Sequence, residues 1–309
     1  MKLSLLKLQQ LKKEINIDLI GVAKAEHLKK DENVYKDWLK KNYHADMNWM
    51  EKHLDKRSNP ELLFPNTKSV IVIGMNYYNK ISQKEIGDLL VSKYVTKIDY
   101  HKFVKNKLYL LLKKLKEIDS SIKGRAFVDT APIFEKAWAI KAGIGWRGKN
   151  SLVISPEYGS WIFLGILLVN VEFDRYSKEK KNQCGDCNLC IDACPTNAIL
   201  EGNKIDANRC ISYWTVENND EKLPENIELE NWIYGCDICQ NVCPFNKQNS
   251  KKTVHQEFEL KKTLQNRSKK YWEKLSEKEY KKIKKNTAME RKRFLFILRD
   301  INHNLQYNK

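Results

Sequence analysis

The sequence predicts a mixed α/β and α+β chain in three regions: an α/β domain over 1–170, a cysteine-rich domain over 171–250 and a helical, basic segment over 251–309. Three observations carry this reading. Short β-branched or aromatic runs alternate with helical stretches up to residue 170. All eight cysteines fall within 171–250, where apolar periodicity is weak and a metal must replace a core. The last 59 residues hold 18 Lys and Arg against 7 Asp and Glu, so 18 − 7 = +11 of the net charge of +17 lies there.

The first region opens on MKLSLLKLQQLKKEINIDLI (1–20), which reads as an amphipathic helix. SVIVIGMNYY (69–78), RAFVDT (125–130) and SWIFLGILLVNV (160–171) read as buried strands, with helices over 101–118 and 132–142 between them. The longest apolar run, 161–171, is too short to span a bilayer. No cleavage site follows the first helix, so no membrane association and a cytoplasmic location are expected. In that compartment cysteines serve as metal ligands or catalysts rather than as structural disulfides.

In the last region, Ser276-Glu277-Lys278-Glu279 and Thr287-Ala288-Met289-Glu290 are capping boxes, each expected to open a helix. The second helix would turn Ala288, Leu295 and Leu298 toward a core and leave Arg291, Lys292 and Arg299 in solvent. So much positive charge in one segment suggests a polyanionic partner. A solvated lysine-rich surface is the alternative.

Cys184-x2-Cys187-x2-Cys190-x3-Cys194-Pro195 has the spacing of a bacterial two-cluster ferredoxin. There, three cysteines wrap one 4Fe–4S cube and the fourth crosses to the other. The second run, Cys236-x2-Cys239-x3-Cys243-Pro244, has Ile233 where its first cysteine should stand. The one unassigned cysteine, Cys210, fills that vacancy. The crossed assignment gives one cluster to Cys184, Cys187, Cys190 and Cys243, and the other to Cys210, Cys236, Cys239 and Cys194. Zinc is the competing reading, but a second x3 spacing followed by proline is uncommon for zinc.

GIGWRGKN (143–150) matches a dinucleotide fingerprint and most of a P-loop, yet helix-like sequence precedes it and strand-like sequence follows, the reverse of what either needs. Asn150 also replaces the magnesium-binding hydroxyl. Asp99-Tyr100-His101 begins a cobalt-ligating Asp-x-His-x-x-Gly pattern, but Val104 stands at the glycine. A helix-start histidine with a hydrogen-bonding role is the alternative. Asp129, in VDTAPIFEK, is either a helix N-cap before proline or an acid at a strand end, placed to donate a proton.

Together these pieces resemble epoxyqueuosine reductase, the cobalamin-dependent iron–sulfur family of tRNA modification. The resemblance rests on DKRSNPELLFPNTKSVIVIGMNY (55–77), Tyr100-His101, VDTAPIFEKAWAIKAGIGWRGKNS (128–151), PEYGSWIFLG (156–165), CISYWTVE (210–217) and GCDICQNVCPFN (235–246). It implies a cobalamin-binding α/β domain, a ferredoxin-like domain with two 4Fe–4S clusters and a helical end. It also implies reduction of the epoxide of epoxyqueuosine at the wobble position of tRNA, with vitamin B12 held base-off. Carried over by position, Asp129 matches the proton donor, and Arg57, Asp129, Val153 and Ser212 match cobalamin-contacting positions. Tyr100, His101 and Lys149 are further cofactor-binding candidates. The partners would be a tRNA with a queuosine-type anticodon and a low-potential electron donor, with the chain a monomer.

The chemistry needs two electrons, two protons and loss of water, and an acid near the epoxide oxygen lowers the barrier. Asp129 would need a raised pKa for this, which burial against the corrin face could supply. A corrinoid reductive dehalogenase and a ferredoxin-like electron carrier are the rival readings. The first normally carries a twin-arginine export signal, which is missing here, and neither uses a polycationic tail.

Overall fold

The computed structural model describes residues 2–81, 83–95 and 98–307. Its centre is a four-stranded sheet of β1 (Leu19–Lys24), β2 (Ser69–Asn76), β3 (Gly124–Phe127) and β4 (Ile162–Val169), ordered β1-β2-β4-β3. Every neighbouring pair is antiparallel. The α/β expectation is thus corrected toward α+β: β2 is buried along its whole length, and an apolar run covered on both faces reads alike in either sheet type.

Side chains alternate across this sheet. Ile71, Ile73 and Met75 face the helix Tyr100–Ile118, which presents Val104, Leu108, Leu111 and Leu115 at helical spacing. Val70 and Val72 face the other layer, built on the helix Glu135–Lys141 with Trp138 fully buried. The N-terminal helix spans only Leu5–Glu14. Asn16 then turns left-handed, and the expected remainder becomes β1, whose LIGVA run is buried. Such β-branched sequence gains more between sheet neighbours than in a helix.

A third core joins distant parts of the chain. Leu89 and Val91, Ile233 and Tyr234, and Trp272, Ile283, Met289 and Ile297 pack together, and Trp232–Tyr234 pairs parallel with Leu90–Val91. The first capping box is present: Ser276 caps Glu277–Lys284 and Glu279 returns the bond. The second is not. Thr287 caps only a 3₁₀ turn, Ala288–Arg291, and the helix begins at Phe294. Its faces also differ from the expectation. Leu295 is exposed, whereas Lys292 and Arg299 are buried around Asp300. Lys292 Nζ also donates to Thr215 O, and Arg299 reaches Asn218 Oδ1 (2.6 Å) and Trp214 O (2.7 Å). This buried network ties the terminal helix to the π-helical turn Tyr213–Glu217.

Candidate active site

A cleft of about 350 Å³ opens between the sheet's helical layer and the cysteine-bearing region. Its wall takes Tyr35 and Trp38 from the helix Lys29–Lys40, Trp49 from the following loop, Arg57, Asp129 and Phe134. Lys204 and Ile205 close the far side. The halves are bolted together. Trp38 Nε1 donates to Ile205 O (2.7 Å), the Tyr213 hydroxyl to Asp46 Oδ2 (3.0 Å) and Asn208 Nδ2 to Asn42 O (2.9 Å).

Arg57 lies on the short helix Leu54–Ser58 and is 8 % exposed. Its Nε donates to Lys52 O (3.2 Å) and its Nη2 to Trp49 O (3.0 Å), curling the loop over the cleft. The guanidinium sits 5.7 Å from the Trp49 ring centre and 5.8 Å from that of Tyr35. Among the described residues no carboxylate pairs with it, so its charge remains available to a ligand. The helix is pinned by Ser58, whose hydroxyl donates to Glu32 Oε2 (2.8 Å), and His27 meets the same oxygen. Hydrogen bonds from Lys36, His27 and Ser58 hold the Glu32 carboxyl down to about 2.

Asp129 follows β3 in a left-handed conformation (φ 57°), which aspartate tolerates better than most residues. Its N–H donates to Glu135 Oε1 (2.7 Å). The carboxylate caps no helix, since Glu135–Lys141 starts after Phe134 without a side-chain cap. It meets His101 instead: Nε2 lies 2.9 Å from Asp129 Oδ2, and Nδ1 lies 2.5 Å from Asp99 Oδ1. Asp99 also caps the helix by accepting from the His101 N–H (3.0 Å). His101 is therefore a helix-start histidine with a hydrogen-bonding role, and Tyr100 beside it stacks on Phe163 at 4.2 Å.

The protein's own groups do not raise Asp129. Burial raises the Asp129 carboxyl, but the hydrogen bond and charge of His101, joined by Arg291, outweigh it and hold the group below its ordinary value. Burial lowers the His101 imidazole, but hydrogen bonds to Asp129 and Asp99 overcome that and raise it. The raised carboxyl is Glu135, pushed to about 8 by burial and by the charge of Asp129. His101 is thus shared between Asp129 and Asp99, and the Asp129 side chain is 51 % exposed at the cleft edge.

None of the eight cysteines forms a disulfide. Cys184, Cys187, Cys190 and Cys243 line one small cavity together with Lys149, whose Nζ donates to Asn188 Oδ1 (2.8 Å). Lys149 thus lies with these thiols and not on the Asp129 cleft. The other four are near one another: Cys194 acts on Cys210, Cys210 and Cys194 act on Cys239, and Cys239 and Cys210 act on Cys236, while Cys190 of the first set also reaches Cys239. Burial first, then these neighbours, push the thiols of Cys236 and Cys239 far up. Lys136, on the cleft wall, lies within electrostatic reach of Cys210. The Ala198 N–H points at Cys194 Sγ (3.3 Å), a donor suited to a thiolate. Among the described residues, no three His, Cys, Asp or Glu side chains converge on one ion.

Val153 packs in the apolar cluster that carries Ile133 and Ala137 of the cleft wall, and Ser212 starts the turn after Cys210. The glycine loop follows a helix and leads into antiparallel strands, Trp146–Arg147 with Val153–Ile154, so neither phosphate-loop geometry exists. A Cβ on Gly143 (φ 69°) would fall 2.4 Å from Lys178 O, which explains a glycine there without a ligand. The sequence does not single out Glu135 or Glu217, and it offers Arg291 only as a solvent-facing cation. Glu135 was within reach, six residues past Asp129 in the same motif; the other two carry no local signal.

Residues 57–130 match the family model described as "Epoxyqueuosine reductase QueG" and residues 183–246 that of a 4Fe-4S double cluster binding domain. The chain is 39% identical over 294 residues to an epoxyqueuosine reductase of Cyclobacterium marinum, covering 93% of this chain and 92% of that protein. It is 40% identical over 247 residues to one of Synechocystis, covering 78% and 84%. It superposes on a crystal structure of selenomethionine-labelled epoxyqueuosine reductase (TM-score 0.86, 29% identity, 97% of this chain and 80% of that one). It superposes likewise on an epoxyqueuosine reductase with an epoxyqueuosine-modified tRNA-Tyr stem loop (TM-score 0.84, 29% identity, the same coverage).

Proposed function

The chain belongs to the epoxyqueuosine reductase family, and from that premise we propose how its own residues carry the reaction. It is an oxidoreductase, an epoxyqueuosine reductase with a 4Fe–4S double-cluster domain. Neither a dehalogenase nor a bare electron carrier is retained as a reading. The substrate is the epoxide at the wobble nucleoside of a tRNA with a queuosine-type anticodon, converted in the cytoplasm by a monomer. A low-potential donor supplies the electrons.

The crossed cysteine assignment is the one we propose. The cavity walled by Cys184, Cys187, Cys190 and Cys243 supports it, as does the mutual proximity of Cys194, Cys210, Cys236 and Cys239. Thiols raised by burial and by one another are thiols that cationic iron would bring down. The first set lies beside the exposed Leu189, and the second lies within electrostatic reach of Lys136 on the cleft wall. Electrons would therefore enter at the first set and leave toward the cleft from the second.

The cleft is wide, walled by flat aromatic and apolar groups, and bears one unpaired guanidinium, which fits cobalamin. Arg57, Asp129, Tyr100 and His101 would hold it, with Val153 and Ser212 supporting. When bound, cobalamin supplies a strongly reducing centre to which the clusters feed single electrons. The protein's part is the proton. His101 keeps Asp129 aimed from 2.9 Å and would share a proton with it, and Asp99 fixes the ring from behind. Opening the epoxide puts charge on oxygen, and a carboxyl passing on the shared proton neutralises it. The wobble base must leave its stack to reach this cleft, and the basic segment would hold phosphates without reading sequence.

The observation that carries the reading is the Asp129–His101 pair placed on the edge of the same cleft as Arg57, near one set of four thiols. The test is conversion of an epoxyqueuosine-bearing anticodon stem–loop by anaerobically loaded protein with a chemical reductant, followed by nucleoside mass spectrometry. Queuosine should appear with a loss of one oxygen atom. An unchanged epoxide with both cofactors bound would refute it.

A further inference from the structure

Arg291 is the least explained charge near the site. It sits at the end of a 3₁₀ turn that is held rigidly: Met289 is fully buried, Tyr234 Oη donates to Ala288 O (2.9 Å), and neighbouring Lys292 is locked to Asp300. Arg291 itself is exposed and, among the described residues, makes no salt bridge, although several carboxylates are near. Among the described residues its side chain's one hydrogen-bond contact is Nη2 to His101 Nε2 at 3.4 Å. Of five guanidinium donors almost all are unspent.

That contact competes with Asp129. Nε2 of His101 has one position for a proton or a lone pair, and both Asp129 Oδ2 (2.9 Å) and Arg291 Nη2 (3.4 Å) address it. The groups facing the pair are Asp99 and Tyr100 on the histidine's own helix, Glu135 and Lys136 after β3, Glu217 on the π-helical turn and Arg291. Of the two cations, Arg291 is the one in contact and belongs to the basic C-terminal segment.

We propose that Arg291 is a positioning residue that senses bound RNA: it rests against His101 in the free protein, and a backbone phosphate of the docked anticodon loop draws it away. This rests on the tRNA reading above. With the guanidinium engaged elsewhere, the His101–Asp129 pair loses its nearest positive charge and takes up a proton from water. An O–H bond forms on Asp129, with no electron transferred, and that O–H is then the acid for the epoxide oxygen. The acid is thereby armed when substrate is present and remains ionised when it is absent.

The experiment is a histidine ring NMR titration of the protein as isolated, with the His101 signal assigned from H101Q. It is run with and without an unmodified anticodon stem–loop bearing guanosine at the wobble position. Without RNA, R291Q should move the His101 transition to higher pH while R291K keeps it near wild type, which separates charge from misfolding. RNA should move the wild-type transition upward and leave that of R291Q in place, and R291Q should lower the log–log salt slope of RNA binding by about one. Wild-type-like titration of R291Q, or bound RNA that leaves the wild-type transition unmoved, would overturn the proposal alone. No RNA binding by the wild-type chain would overturn the tRNA reading, and the proposal with it.

Discussion

His101 Nε2 lies 2.9 Å from Asp129 Oδ2, joining the start of one helix to the end of a strand 28 residues further on. The same ring meets Asp99 on its other nitrogen, so one imidazole bridges two carboxylates. A site built this way lets the ring share a proton with the acid that delivers it. Asp129→Asn keeps the shape but cannot take the proton from His101. It should leave iron and corrin content unchanged and lower epoxide reduction by about 10²–10⁴-fold, measured by single-turnover nucleoside analysis.

His101 also makes stability depend on pH. Its folded pKa is raised, so its contribution is full below about pH 6.5 and fades as pH rises through the folded value. Urea unfolding across roughly pH 6 to 9 should show this loss in wild type and a flatter profile in His101→Gln.

Glu32 acts with the opposite sign. Its carboxyl is held at about 2, so its contribution is present above the ordinary value of 4.5 and is lost as pH falls toward 2. Glu32→Gln should remove that part of the acid sensitivity. Because Ser58 loses a partner, the helix carrying Arg57 should also loosen, visible as faster amide exchange at 54–58.

The buried network at the chain's end behaves as one unit. Asp300→Ala leaves Lys292 and Arg299 charged in the core and should cost about 3–5 kcal/mol in urea unfolding. The double change Asp300→Leu with Lys292→Met should recover part of that loss. A single-variant cost no larger than that of a surface substitution would mean the network is not formed.

Charge reversal in the basic segment separates two kinds of lysine. Lys284 Nζ donates to Glu290 O and Lys292 O, both at 3.0 Å, so changing it should weaken the fold. Lys281, Lys282 and Lys285 are exposed. Reversing those three should weaken tRNA binding and flatten its salt dependence, with only a small loss of stability, because Lys281 pairs with Glu277 (2.9 Å).

The chemistry of this chain was more legible than its packing. Cysteine spacing is dictated by the geometry of a cluster, so Cys184 to Cys194 and the vacancy at Ile233 could be read directly. Asp129 was a candidate from its motif alone, but its electrostatic setting was not legible, because that depends on His101 and Arg291, which approach from elsewhere in the chain. Lys292 and Arg299 were expected in solvent since a binary pattern places charge outside. Only the tertiary partner Asp300 and the carbonyls of Trp214 and Thr215 make their burial tolerable. The antiparallel order of the sheet was hidden for a related reason: β2 and β4 are continuous apolar runs and carry no mark of direction.

Cys210 is the sequence-distant member of the inner set. Cys210→Ala should bind about four irons where wild type binds about eight, with the remaining cluster at Cys184, Cys187, Cys190 and Cys243. Iron and sulfide analysis of anaerobic protein decides it, and full iron content in the variant would break the crossed assignment.

The most direct test is made on tRNA from cells lacking this gene. Such tRNA should carry epoxyqueuosine in place of queuosine, restored by the wild-type chain and not by Asp129→Asn expressed at the same level. Queuosine at wild-type abundance in the deletion strain, with no second reductase present, would contradict the account.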